Sequence, residues 1–173
     1  MAERGAEHLI LTSRRGLEAP GAVELEAELS ALGVRVTVAA CDVSDRDAVE
    51  ELLSGCAVDA VVHAAGVVDS VPLGEADPAH FAEVMGAKVA GAVVLDEVLG
   101  DRVLDAFVVF SSIAGVWGSG GQGAYAAGNA FVEGLVEVRR ARVWWVVRWR
   151  GVRGPVAGWR VWRVLRSICC VVV

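Results

Sequence analysis

Apolar residues along the chain alternate between short solid runs and longer stretches in which they recur with helical spacing. Residues 8–13 (HLILTS) form the first solid run and end at Ser13-Arg14-Arg15-Gly16, a turn signal, so they read as a buried strand. Over residues 20–32, Val23, Leu25, Leu29 and Leu32 recur among Glu24, Glu26 and Glu28, with Pro20 near the start and Gly33 at the end. That pattern predicts a helix. The β-branched residues 34–41 predict a second strand. Residues 46–54 predict a short helix capped by Ser44 or Asp45. A third strand spans 59–65 (DAVVHAA) and is closed by Gly66. A long helix follows over 78–99, then a fourth strand over 105–111, a glycine-rich loop and a helix over about 124–141.

Strands alternating with helices, each strand apolar enough to be buried on both faces, predict a parallel sheet covered by helices. Ligands in such sheets sit beyond the carboxyl ends of the strands. The polar and glycine-containing motifs of this chain fall at those ends.

Composition sharpens this picture in one respect. The 173 residues are 55% apolar and 22% charged, which excludes a disordered chain and leaves room for one domain. The net charge of -6 averages two unlike segments. All 22 acidic residues lie in 1–137, with seven basic ones; 138–173 holds the other nine basic residues, no acid and five of six tryptophans. The chain therefore reads as an acidic segment followed by a basic Trp/Arg/Val-rich tail. Such a tail could serve nucleic acid or a membrane surface, but it lacks an amphipathic period, and neither partner is expected. Its composition is also what a shifted reading frame of GC-rich coding sequence gives, and resequencing the locus would test that. No apolar run is long enough to cross a membrane, and the N-terminus lacks a signal peptide's basic start. Four cysteines without CxxC or metal-type spacing point to a reducing, cytoplasmic setting and to no metal site.

Several motifs carry candidate chemistry. Arg14 and Arg15, directly after the first strand, can clamp a phosphate or simply form a solvated turn. Asp42, before Val43, can accept hydrogen bonds from an adenine amine or start the next turn. His63-Ala64-Ala65-Gly66 ends the third strand with small residues that let a ligand approach the backbone, and His63 alone reads as a satisfied, half-buried histidine. Residues 118–123 (GSGGQG) match G-x-G-x-x-G. They lie six residues beyond their strand, with no ribose-binding acid about twenty positions on, and read instead as a mobile loop over a substrate.

The richest constellation combines Lys88, Ser111 or Ser112, Tyr125 and Asn129. Tyr125 and Asn129 are four apart on a predicted helix and share a face. Reduction of a carbonyl needs a proton donor at the oxygen as hydride reaches the carbon. A tyrosine hydroxyl serves where a nearby ammonium lowers its pKa from about 10. A serine hydroxyl can hold the carbonyl, and an amide can order a water or backbone relay. Tyr125 is the only tyrosine and Lys88 the only lysine.

From residue 5 to about residue 142 the chain resembles the ketoreductase domain of modular type I polyketide synthases, a branch of the short-chain dehydrogenase/reductases. The stretches that carry the resemblance are GAEHLILTSRRG, CDVSD, VVHAAGV, AKVAGA, FSSIAGVWGSGGQGAYAAGNAF and EVRRAR. It implies a three-layer, Rossmann-like, doubly wound parallel sheet that lacks the family's first strand and glycine-rich pyrophosphate loop, so that Met1 looks like an internal start. It implies Tyr125 as proton donor, Ser112 on the substrate carbonyl, Lys88 assisting the tyrosine and Asn129 completing the relay. Lysine stands here on the earlier helix, and Asn129 occupies the place of the more usual lysine four after the tyrosine. Ser13, Arg14 and Arg15 match the part that recognises an adenosine 2′-phosphate, hence NADPH. Asp42 and Val43 match the adenine contacts, and Ala64, Ala65 and Gly66 the stretch lining the cofactor.

Trp117, eight residues before the tyrosine, and Gln122, three before it, match the pattern of reductases forming L-hydroxyl products from unepimerised substrates. Val68-Asp69-Ser70 lacks the last aspartate of the opposite type. The reaction implied is NADPH-dependent reduction of a β-ketoacyl group on an acyl carrier protein, beside other polyketide synthase domains, in antibiotic biosynthesis. The absent loop leaves a second reading: a non-catalytic remnant or interaction fragment.

Overall fold

The computed structural model describes residues 1–142, 147–150 and 169–172. Six strands form one sheet: β1 (His8–Ser13), β2 (Arg35–Ala40), β3 (Ala60–His63), β4 (Ala106–Ser111), β5 (Val147–Arg150) and β6 (Cys169–Val172). Their order is β2-β1-β6-β3-β4-β5, and every pairing is parallel. Parallel neighbours need crossover connections, and between β1 and β4 helices supply them. Among the described residues the α-helices are α1 (Ala22–Ala31), α2 (Arg46–Ser54), α3 (Pro78–Met85), α4 (Gly91–Leu99), the short α5 (Ala114–Trp117) and α6 (Gly123–Arg142). The parallel sheet covered by helices expected from the alternation of elements, and the doubly wound form implied by the resemblance, are both observed.

Local chemistry explains the helix starts. Asp45 caps α2 by accepting from the amides of Asp47 and Ala48 at 3.0 and 3.2 Å. Asp77 caps α3 by accepting from the His80 amide at 2.8 Å, with Pro78 in the first turn, where its missing N–H costs nothing. The long helix predicted over 78–99 is interrupted: residues Gly86–Ala90 make a π-helical turn between α3 and α4.

The larger core lies on the face covered by α2, α4 and α6, where Leu53, Leu95, Phe107, Val109 and Val132 are buried. Each such side chain contributes about 1.5–3 kcal/mol relative to exposure. The opposite face carries a smaller cluster around Leu9, Val34 and Val108, against which Leu29 of α1 packs.

The helix predicted over residues 20–32 forms as α1 but is largely exposed, and one expectation changes here. No residue of α1 is buried, and Val23, Leu25 and Leu32 are exposed. Val23 lies on the opposite side of the helix from the other apolar positions, which leaves Leu29 as the residue that reaches the core. The second strand, read as buried on both faces, is an edge strand with every residue at least partly exposed. An edge position, which the apolar pattern does not encode, accounts for this.

The position between β1 and β3 is filled. Cys169–Val172 pairs with His8–Leu11 on one side and with Ala60–Val62 on the other. Both β5 and β6 lie beyond residue 142, in the basic tail.

Candidate functional site

The chain runs from β1 outward to β2, then crosses back to β3 and continues the other way. Beyond the carboxyl ends of the strands at that reversal lies a cleft of about 520 Å³. A crevice at such a switch point is the standard ligand position in an open α/β sheet. The volume falls within the ~300–1,000 Å³ usual for small-molecule sites.

Three strand ends build one wall each. At the end of β1 stand Ser13 and Arg14, after β2 Asp42 and Val43, and after β3 Ala64, Ala65 and Gly66. The structure thus gathers these sequence-nominated cofactor positions around one space. Arg15 is exposed and does not line it. Asp42 accepts from both the amide and the hydroxyl of Ser44, at 3.0 and 2.6 Å. These hydrogen bonds, more than the nearby Arg14 charge, hold its carboxyl below the ordinary 3.8. Glu83, Gly86 and Ala87 close the cleft from α3 and the π turn; spacing alone had not singled them out. Their only signal was proximity to Lys88 in the chain.

Lys88 sits in the π turn, 6% exposed. Its ammonium donates to the Phe110 carbonyl at 2.9 Å and lies 6.0 Å from the centre of the Tyr125 ring. Burial pushes its pKa below the ordinary 10.5. Gly66 makes room for it: a Cβ there would stand 2.8 Å from Lys88 Cε.

Tyr125 and Asn129 lie one turn apart on α6. Asn129 is fully buried, and its amide donates to the Tyr125 carbonyl at 2.7 Å. Its Oδ1 has no partner among the described residues. An acceptor buried and left open in this way suits an ordered water. Ser112, half-buried after β4, accepts from the Ala114 amide at 3.2 Å, which leaves its own proton free to donate. Its neighbour Ser111 points elsewhere, donating to Glu133 at 2.8 Å. That separates the two serines that the sequence left as alternatives.

Trp117 is 83% exposed, and Gln122 is half-buried at the start of α6. The glycine-rich loop before α6 is tied to the segment after β3: the Val71 amide donates to Gly121 O at 2.8 Å, and Val71 bridges Gln122. The loop before α6 and the segment after β3 are therefore joined. His63, read as a satisfied, half-buried histidine, is fully buried and bonds through Nε2 to the backbone of Lys88 at 2.9 Å, while its Nδ1 has no partner among the described residues.

The chain is similar to known proteins in sequence and fold. The KR domain family model matches residues 1–153. Over 166 residues, 94% of this chain, the sequence is 49% identical to the pikromycin polyketide synthase component PikAIII of Streptomyces venezuelae, spanning 10% of that protein. It is 53% identical over 147 residues, 82% of this chain, to the erythronolide synthase EryA3 of Saccharopolyspora erythraea, spanning 5% of it. Among solved structures, the first ketoreductase of the tylosin polyketide synthase superposes with a TM-score of 0.81 at 44% identity, covering 97% of this chain and 39% of that one. A structure described as an A1-type ketoreductase gives 0.79 at 43% identity, covering 97% and 38%.

Proposed function

This chain belongs to the KR (ketoreductase) domain family of polyketide synthases, and from that premise we propose that it carries the proton-handling half of an NADPH-dependent β-ketoacyl reductase. The substrate class would be a β-ketoacyl thioester on an acyl carrier protein, presented by neighbouring synthase domains, and the product a β-hydroxyacyl thioester. The observation that supports this most is the convergence of Lys88, Tyr125 and Asn129 beside a switch-point cleft.

The cleft residues fit the adenosine end of a nicotinamide dinucleotide. Arg14 offers a guanidinium for a phosphate, Asp42 a fixed acceptor, and Ala64–Gly66 a wall low enough for close approach. When bound, the nicotinamide supplies hydride to the carbonyl carbon. The chain's own groups manage the oxygen. The Ser112 hydroxyl donates to the carbonyl and orients it. Tyr125 gives its proton as negative charge builds there, and the Lys88 ammonium near the ring stabilises the anion left behind. The open Oδ1 of Asn129 holds a water that resupplies the proton.

Exposed Val68, Leu73 and Trp117 border the tied loops and would receive the acyl chain. Trp117 and Gln122 support L-hydroxyl selectivity on unepimerised substrates, in keeping with the likeness to a structure described as A1-type. Among the described residues no helix is long and apolar enough to cross a membrane, which suits a substrate delivered in water.

Fluorescence titration with NADPH, followed by turnover of a β-ketoacyl thioester, tests the proposal. Binding with Tyr125-dependent turnover is expected. Binding that Arg14→Ala weakens roughly tenfold or more, with little effect on NADH, would place the adenosine phosphate at Arg14. No binding at millimolar cofactor favours the non-catalytic fragment.

A further inference from the structure

His63 ends β3 and is 2% exposed. Its Nε2 lies 2.9 Å from the carbonyl oxygen of Lys88. A carbonyl only accepts, so Nε2 carries the hydrogen and Nδ1 is bare. Nδ1 has no partner among the described residues. The ring stays neutral: burial, reinforced by the Lys88 charge, pushes its pKa below the ordinary 6.5 against the pull of the backbone bond.

The bonded carbonyl belongs to the π turn Gly86–Ala90. A π turn is wider than the α-helix on either side and is an unfavourable local choice that needs outside support. Two features of the sequence provide it. Gly91, just after the turn, carries no Cβ, and one built there would meet His63 Cε1 at 3.2 Å and Val43 Cγ2 at 2.7 Å. The imidazole can therefore lie against the helix backbone. Gly66, three residues after His63, leaves the channel along which the Lys88 side chain runs to Phe110 O. One short segment, 63–66, thus holds Lys88 at its backbone and clears the path of its side chain.

We infer that His63 is a positioning residue: its Nε2–H clamps the Lys88 carbonyl, fixing the π turn so that the ammonium reaches Phe110 O and the Tyr125 ring. Without the clamp the turn relaxes towards regular helix and the ammonium shifts towards the open cleft. The groups facing Lys88 are His63 from β3 and Tyr125 from α6, and Glu83 of α3 lines the neighbouring cleft. Among the described residues no carboxylate pairs with its ammonium. This inference rests on the reading of Lys88 as the partner of Tyr125.

The chain supplies its own probe, since Lys88 is the only lysine. Selective ¹³C labelling at lysine Cε gives one side-chain resonance, whose titration needs neither cofactor nor turnover. The wild-type midpoint should lie below 10.5. In His63→Leu, which removes the donor, it should rise by about half a pH unit or more. In His63→Gln, whose amide nitrogen reaches about as far as Nε2, it should return to the wild-type value. A folded His63→Leu with the wild-type midpoint overturns the clamp, as does a His63→Gln that behaves like the leucine variant.

Should His63→Leu fail to fold, His63→Asn takes its place, because its amide is too short to reach the carbonyl. Asparagine and glutamine variants with equal midpoints then overturn the inference. The two readings fail separately. A clamp-dependent midpoint in a chain that never turns over removes the reductase reading alone. Turnover with a clamp-independent midpoint removes the clamp alone.

Discussion

Gly66 and Lys88 share a single space: a Cβ on residue 66 would stand 2.8 Å from Lys88 Cε and 3.3 Å from Nζ. The atoms met are the far end of a flexible side chain, so Gly66→Ala would be relieved by moving the ammonium and not the backbone. Stability should therefore fall by only about 1 kcal/mol. On the proposed function, reduction of a β-ketoacyl thioester should fall about tenfold or more, because Tyr125 loses its charged neighbour. Thermal melting beside steady-state rates checks this pair of effects. An unchanged rate would mean that the place of Lys88 does not matter to the chemistry.

His63 and His8 should make stability fall on mild acidification. Burial lowers both imidazole pKa values below 6.5, with Arg35 adding to the effect at His8. The unfolded chain then takes up protons near pH 6.5 while the folded one resists until lower pH. Stability is full above that value and declines as pH falls through it towards the folded values. Asp42 acts in a separate window, because its lowered pKa gives stability that is lost only below 3.8. Urea melts at about pH 7.5, 6.5 and 5.5 should show the first decline. His63→Gln should remove part of it, and a flat profile across that interval would contradict both assignments.

Buried charge gives a third test. Arg139 is 1% exposed, donates to Asp96 Oδ1 at 2.6 Å and to Gly100 O at 3.0 Å, and lies 4.8 Å from the centre of the Phe107 ring. Arg142 holds the other carboxylate oxygen of Asp96. Asp96→Asn would leave a buried guanidinium without its counter-charge, at a cost of about 3–5 kcal/mol. Arg139→Met should cost less, because Arg142 still neutralises Asp96. Combining Arg139→Met with Asp96→Leu should recover part of the loss. Denaturant unfolding of the three variants measures the order, and equal losses for both single variants would refute it.

The elements that position the site were largely legible in the sequence because they obey local rules. Residues 8–13 and 46–54 are the observed β1 and α2, and residues 59–65 and 105–111 bracket β3 and β4 within two residues. Small residues after His63 and the Tyr125–Asn129 spacing marked their places for physical reasons that the fold preserves. What escaped depends on distant partners. The π turn has no period of its own, and its support comes from His63, 25 residues earlier. Arg139 near a helix C-terminus gives no local sign of burial; Asp96, 43 residues away, holds it together with Gly100 O and the Phe107 ring. The role of Cys169–Val172 could not be read from four apolar residues in a segment set apart by its charge.

That segment makes the last prediction. In the sheet, Cys170 stands opposite Leu9 of β1 and Ala60 of β3, and Val171 opposite Ile10 and Val61. A strand with hydrogen-bonding neighbours on both sides has its amides shielded, whereas a loose tail has them in water. Hydrogen exchange should therefore protect residues 170–172 about as well as Leu9–Leu11 of β1. Proline cannot donate to a ladder and is not tolerated in a central strand. Cys170→Pro should accordingly strip protection from 170–172. It should also lower protection in β1 and β3, whose facing edges would lie open and favour association between chains. Exchange of 170–172 within seconds while β1 stays protected would show that something other than this segment holds the two halves of the sheet together. Protection of all three strands, lost together in the proline variant, would make the residues with the least legible sequence the ones that join β1 to β3 beneath the cleft.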